Sequence, residues 1–146
     1  MKAGLNLWDT AYVYGMGTSE KVLGGFLTTV SRDSYLISDK FTPQCADPTA
    51  ENAVTALYEK SAELLGTDYI DFYWIHNPVE APKWVTELIS LAKSGKIGKI
   101  GLSNHSLEEI KEAAAMELSA EEIAMIEKLG DEAQLNVIRY WEKEMK

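Results

Sequence analysis

Short apolar runs alternate with stretches of helical periodicity along the chain as far as Asn104. Four runs, near residues 4–9, 34–39, 69–76 and 97–103, are nearly continuous in apolar, aromatic or β-branched residues and are bounded by turn formers. That is the pattern of buried strands. Behind the first come Val22, Leu23, Phe26, Leu27 and Val30, and behind the second Val54, Leu57, Tyr58, Leu64 and Leu65, both at helical spacing. Trp84, Val85, Leu88, Ile89 and Ala92 repeat it behind the third. Asp47-Pro48 predicts a helix start, an N-cap followed by proline at the first helical position, and Gly66 and Gly95 predict left-handed C-terminal caps. Strand starts recur roughly every 30 residues, the length of one strand plus its crossover helix, and runs buried on both faces suit parallel strands. The expected fold class is therefore α/β with about four parallel strands.

After Ser103-Asn104 the pattern changes. Ser106-Leu107-Glu108-Glu109 and Ser119-Ala120-Glu121-Glu122 are capping-box sequences, each opening a helix. Gly130 is the expected end of the second, and Leu135, Ile138, Trp141 and Met145 return at helical spacing beyond it. A helical C-terminus over 106–146 thus follows a strand-bearing part over 1–105, within a single domain spanning 1–146.

Composition narrows the function classes. Fourteen Lys and Arg against 23 Asp and Glu give a formal charge of -9, which offers no electrostatic footprint for nucleic acid. One cysteine, Cys45, and two histidines, His76 and His105, leave no material for a metal cluster. No run approaches the ~18 apolar residues that span a bilayer, and no signal-peptide core follows Met1. A cytoplasmic protein that binds neither membrane nor nucleic acid is expected.

In parallel α/β folds ligands meet the carboxyl ends of the strands, where converging loops are held rigidly. Here those ends deliver Asp9 and Tyr14, then Asp39-Lys40, then His76-Asn77, and finally Ser103-Asn104-His105. Tyrosine, with an ordinary pKa of about 10, is a weak acid at neutral pH unless a cation stabilises its anion. Lys40 is placed to supply that cation, Asp9 to hold the ammonium, and a neutral His76 to orient a carbonyl oxygen for protonation. Each residue also has a plain structural use: Asp9 as a turn cap, Tyr14 as a rim aromatic, Lys40 as an exposed charge, His76 as a satisfied loop histidine. Their arrival at successive strand ends is what sets them apart. Gly15-Met16-Gly17 lacks the third glycine of a dinucleotide fingerprint, and Cys45 has no histidine close in sequence to activate it. Trp8, Trp74 and Trp84 are candidates for a pocket wall or for packing.

Four ordered stretches, Asp9-Thr10-Ala11-Tyr12-Val13-Tyr14-Gly15, Ile37-Ser38-Asp39-Lys40, Asp71-Phe72-Tyr73-Trp74-Ile75-His76 and Gly101-Leu102-Ser103-Asn104, resemble the aldo-keto reductase family. The resemblance implies a (β/α)8 TIM barrel that reduces aldehydes or ketones with NADPH, hydride passing from nicotinamide to the carbonyl carbon. It implies Tyr14 as general acid, Lys40 and Asp9 tuning it, His76 positioning the carbonyl, and Ser103 with Asn104 binding the nicotinamide carboxamide.

An eight-stranded barrel takes about 250 residues, and this chain has 146. The resemblance therefore implies a truncated member that supplies strands two to five of the barrel. After Ala115 the likeness jumps to the family's C-terminal segment at Leu118–Gly130, and no residue is assigned to the cofactor's pyrophosphate or 2′-phosphate. A half barrel of this kind leaves two sheet edges open, near 4–9 and 97–103, so a homodimer paired through those edges is one expected resolution. A catalytically inactive remnant acting as an interaction or assembly module is the alternative reading.

Overall fold

The structure, a computed structural model, describes residues 4–115. Four parallel strands form one sheet in the order β1 (Leu7–Asp9), β2 (Leu36–Phe41), β3 (Ile70–Ile75) and β4 (Ile97–Leu102). Helices α1 (Thr18–Leu27), α2 (Ala53–Leu65) and α3 (Ala81–Lys93) connect them, and α4 (Leu107–Ala114) follows. Sequence neighbours are sheet neighbours throughout, as repeated strand–helix–strand units require. The chain divides into two units, Met1–Ile110 and Lys111–Lys146, and all four strands belong to the first. No described helix is long and apolar enough to cross a membrane.

All four predicted strands form, with shifted ends. β2 starts at Leu36 because Arg32–Ser34 is drawn into a 3₁₀ turn, in which Arg32 donates to the Tyr35 carbonyl at 2.9 Å. Gly66 caps α2 in the left-handed region and Gly95 lies there just beyond α3, as predicted. Ser106 and Glu109 close a capping box, each accepting the other's backbone N–H. The helix start predicted at Asp47-Pro48 is a correction. The α2 cap is Asn52, whose side chain accepts from the Thr55 N–H at 2.7 Å. Asp47 instead accepts from the N–H and hydroxyl of Thr49, a self-contained turn that precedes the helical period beginning at Val54. The features predicted at Ser119–Glu122, Gly130 and 135–145 lie outside the described residues.

Strand alternation gives the sheet two distinct faces. One packs on helices: Trp8 meets Phe26 of α1, Tyr73 meets Tyr58 of α2, and Phe41 meets Trp84 of α3. Ile37, Phe41, Tyr73 and Ile75 are fully buried there. The other face carries Asp9, Ser38, Lys40 and Trp74. At the amino ends of the strands Arg32 clamps Asp71 at 2.6 Å, and the same Asp71 oxygen accepts the Ile37 N–H at 2.8 Å, which ties β3 to β2.

The helices reach their close approach through glycine. A Cβ on Gly24 would run into the Leu64 carbonyl oxygen and come within 2.8 Å of the Leu65 backbone, whereas one on Gly25 would meet nothing within 4 Å. Gly24→Ala is accordingly expected to cost about 1–3 kcal/mol by overpacking. Gly25→Ala is expected to be neutral or to stabilise by up to about 1 kcal/mol through helix propensity. Urea denaturation of the two variants checks this, and equal effects would contradict it.

Candidate active site

The carboxyl ends of the strands assemble one polar cluster. Lys40, whose side chain is only 10% exposed, donates from Nζ to Asp9 Oδ2 at 2.6 Å and to the Thr10 carbonyl at 2.8 Å. An ammonium so far out of water needs such acceptors. Ser38 donates to the second Asp9 oxygen at 2.7 Å, and the Trp74 indole N–H donates to Ser38 at 2.9 Å. The indole finds room because a side chain at Gly101 would overlap its ring. A hydrogen-bonded chain therefore runs from Trp74 through Ser38 and Asp9 to Lys40.

Tyr14 reaches this cluster by a compact turn after β1. Its N–H donates to the Ala11 carbonyl at 2.9 Å, the Gly17 N–H to the Tyr12 carbonyl at 2.6 Å, and the Ser19 N–H to the Tyr14 carbonyl at 3.2 Å. Gly15, Met16 and Gly17 all take positive φ to make that turn. A Cβ on Gly17 would press on Leu64 and Tyr12, so the residue is glycine for space as well as for conformation. The phenol ring, 41% exposed, lies with its centroid 4.9 Å from Lys40 Nζ and 5.7 Å from the His76 ring, edge to face.

His76 follows β3 directly, its N–H extending the ladder to the Phe41 carbonyl at 2.9 Å. Ring Nδ1 is 2.9 Å from the Thr42 hydroxyl. Partial burial, followed by the Lys40 charge and offset in part by Asp9, holds the imidazole below its ordinary pKa and so neutral at pH 7. Ser103 and Asn104 follow β4. Asn104 sits in the left-handed region and donates from Nδ2 to the His76 carbonyl at 2.9 Å and to Ser103 Oγ at 3.1 Å.

All six residues expected to carry the chemistry thus stand on one rim. Asp9, Tyr14, Lys40 and His76 are in mutual reach through the contacts above, and Ser103 and Asn104 join through the His76 backbone. Sequence reasoning missed Thr10, Ser38, Thr42, Trp74 in its hydrogen-bonding role, and Gly101. Their partners lie on other strands, so strand register is the signal that finds them. Trp84 packs against Phe41, and Trp8 packs against Phe26 while also lining a hollow beside α1. A hollow of about 610 Å³ beside Arg32, Tyr35 and Gly66 contains none of these groups. Among the described residues no group of His, Cys, Asp and Glu is arranged to hold a metal.

The family model described as the aldo/keto reductase family matches residues 1–137. Methylglyoxal reductase YeaE of Escherichia coli is 32% identical over 114 residues, covering 77% of this chain and 39% of the relative. The uncharacterized oxidoreductase YtbE of Bacillus subtilis is 35% identical over 141 residues, covering 90% of this chain and 48% of its own length. Among solved structures, an aldo/keto reductase from Klebsiella pneumoniae in complex with NADP and acetate superposes with a TM-score of 0.67 at 28% identity, over 84% of this chain and 42% of that one. This chain spans less than half the length of each of these relatives.

A His76 pKa lowered by burial and by Lys40 has a fixed sign in stability. Below the ordinary value of 6.5 the unfolded chain takes up the proton first, so the contribution is intact above 6.5 and is lost as pH falls toward the folded-state value. Nitrogen-15 NMR titration is expected to place His76 below 6.5, and Lys40→Met to move it upward. No upward movement in that variant would remove Lys40 as a cause.

Proposed function

Because the chain belongs to the aldo/keto reductase family, we propose that it serves NADPH-dependent reduction of an aldehyde or ketone, with Tyr14 as the proton donor. The observation that carries this reading is the Lys40 ammonium held between the Asp9 carboxylate and the Tyr14 ring, with His76 beside them. Carbonyl reduction needs a hydride at carbon and a proton at oxygen. Bound NADPH supplies the hydride. The protein's task is then to hold the carbonyl oxygen, donate the proton and stabilise the phenolate left behind.

Lys40 meets the last need, because a cation beside a phenol favours its anion, and Asp9 with the Thr10 carbonyl fixes the ammonium in place. His76 holds the oxygen. In the tautomer in which Nδ1 accepts from the Thr42 hydroxyl, the ring proton is on Nε2 and free to be donated, and the neutral ring does not compete with Lys40 for a positive charge. Ser103 and Asn104 fit the nicotinamide end of the cofactor. Asn104 Nδ2 is committed to His76 and Ser103, which leaves Asn104 Oδ1 and the Ser103 hydroxyl hydrogen for a carboxamide. The Klebsiella structure holds NADP and so supports this choice of cofactor. The single cysteine, Cys45, is free and suits a cytoplasmic setting.

A second reading, assembly without turnover, draws on the β1 side of the sheet. Val22 and Phe26 are 71% and 43% exposed there, and they line an apolar hollow with Trp8 and Leu23. With β1 and β4 as the outer strands of the described sheet, a second copy pairing along them is the partner this reading names.

Fluorescence titration with NADPH, with mass by light scattering on the same sample, separates the two. Saturable binding with turnover, and a Tyr14→Phe variant that binds NADPH equally but turns over about 10²–10⁴-fold more slowly, is the expected result. Unchanged turnover in Tyr14→Phe overturns the role of Tyr14. Absence of binding at high micromolar NADPH in a dimer favours assembly instead.

A further inference from the structure

Behind Lys40, on the helix-facing side of the sheet, lies a second ionisable cluster that the site above does not use. Glu20 of α1, Asp39 of β2, Ser61 of α2 and Tyr73 of β3 are each fully buried. The Glu20 carboxyl lies against those of Asp39 and against the Ser61 hydroxyl, which in turn borders the Tyr73 hydroxyl. Asp39 Oδ1 accepts the Lys40 N–H at 2.8 Å. Both Glu20 oxygens, Asp39 Oδ2, Ser61 Oγ and the Tyr73 hydroxyl are buried with no well-formed hydrogen bond.

Two adjacent carboxylates buried from bulk solvent repel each other and lose hydration, a cost relieved when one proton bridges them. Neighbouring cations are committed elsewhere. The Lys40 ammonium is bonded to Asp9 and Thr10 on the opposite face, and Lys60 stands over the Tyr12 ring. The remaining titratable neighbours are Tyr58 and Cys45, and neither brings a positive charge.

We propose that Glu20 and Asp39 share one proton at neutral pH, making a latch that ties α1 to the strand bearing Lys40 and weakens as pH rises. Burial, with the Glu20 charge adding to it, pushes Asp39 up to about 8, and burial raises Glu20 as well. The sign follows from linkage. Between the ordinary aspartate value of 3.8 and about 8 the folded chain holds a proton that the unfolded chain has released, so stability falls as pH climbs through that window.

Infrared spectroscopy of the protein labelled with carbon-13 at the aspartate carboxyl reads the proton directly. A protonated-carboxyl C=O stretch is expected at pH 7, shared between labelled Asp39 and unlabelled Glu20, and lost in Asp39→Asn for the labelled component. The thermal midpoint of the wild type is expected to drop by at least about 4 °C from about pH 5 to about pH 9, and the Asp39→Asn profile to be flatter. Absence of any protonated-carboxyl band at pH 7 overturns the proposal, as do parallel pH profiles of wild type and variant. Should Asp39→Asn fail to fold, Glu20→Gln and the wild-type infrared spectrum decide the matter alone.

Discussion

A lysine ammonium largely withdrawn from solvent must find oxygen atoms or give up its charge, and Lys40 finds two, on Asp9 and on the Thr10 carbonyl. Both lie on or just after β1, so β1 must run beside β2 in parallel with Asp9 opposite Ser38. That register brings the Ser38 hydroxyl to the second oxygen of Asp9, and Ser38 in turn takes the Trp74 N–H from β3. Trp74 lies flat only because β4 has Gly101 opposite it. One charge requirement is thus passed across all four strands. A slip of one residue in β2 would turn Lys40 to the helices and Asp39 to the site, which makes the polar chain a specification of register as much as of chemistry.

The extent to which this is legible from sequence follows the range of each signal. Strands and helices were readable because their apolar periodicity is local, and the six rim residues were readable because parallel strands deliver their last residues to one face. Asp47-Pro48 misleads for an instructive reason: a good capping residue also closes a good turn, and Thr49 captured it before a helix began. Ser38, Thr42 and Gly101 could not be singled out. Nothing near them in sequence needs them: the partners of Ser38 and Thr42 sit 29 to 36 residues away, and Gly101 meets Trp74 only through the sheet. Glu20 and Asp39 carried a faint signal, two acidic residues at positions where the periodicity asks for apolar ones, and the strand register gives it meaning.

β2 carries ionisable groups on both faces within two consecutive residues, Asp39 toward the helices and Lys40 toward the site. The arrangement is costly unless the two faces are balanced separately, because the strand between them is too thin to screen one from the other. On the site face the balance is explicit: Asp9 answers Lys40, and the residual positive field is felt by His76, whose protonation it opposes.

The same field reaches through the strand to Asp39, where it favours the charged form, yet burial and the neighbouring Glu20 outweigh it. This ordering of effects follows from geometry. Lys40 has half-solvated Asp9 as its counter-ion, with 54% of that side chain exposed, so water and carboxylate together damp its field before it crosses the sheet. Asp39 is fully buried, and the Lys40 ammonium beside it is bonded to oxygens on the other face. Lys40 thus opposes protonation of both His76 and Asp39, and at both sites burial is the larger influence, working with the lysine at the histidine and against it at the aspartate on the other side of the sheet.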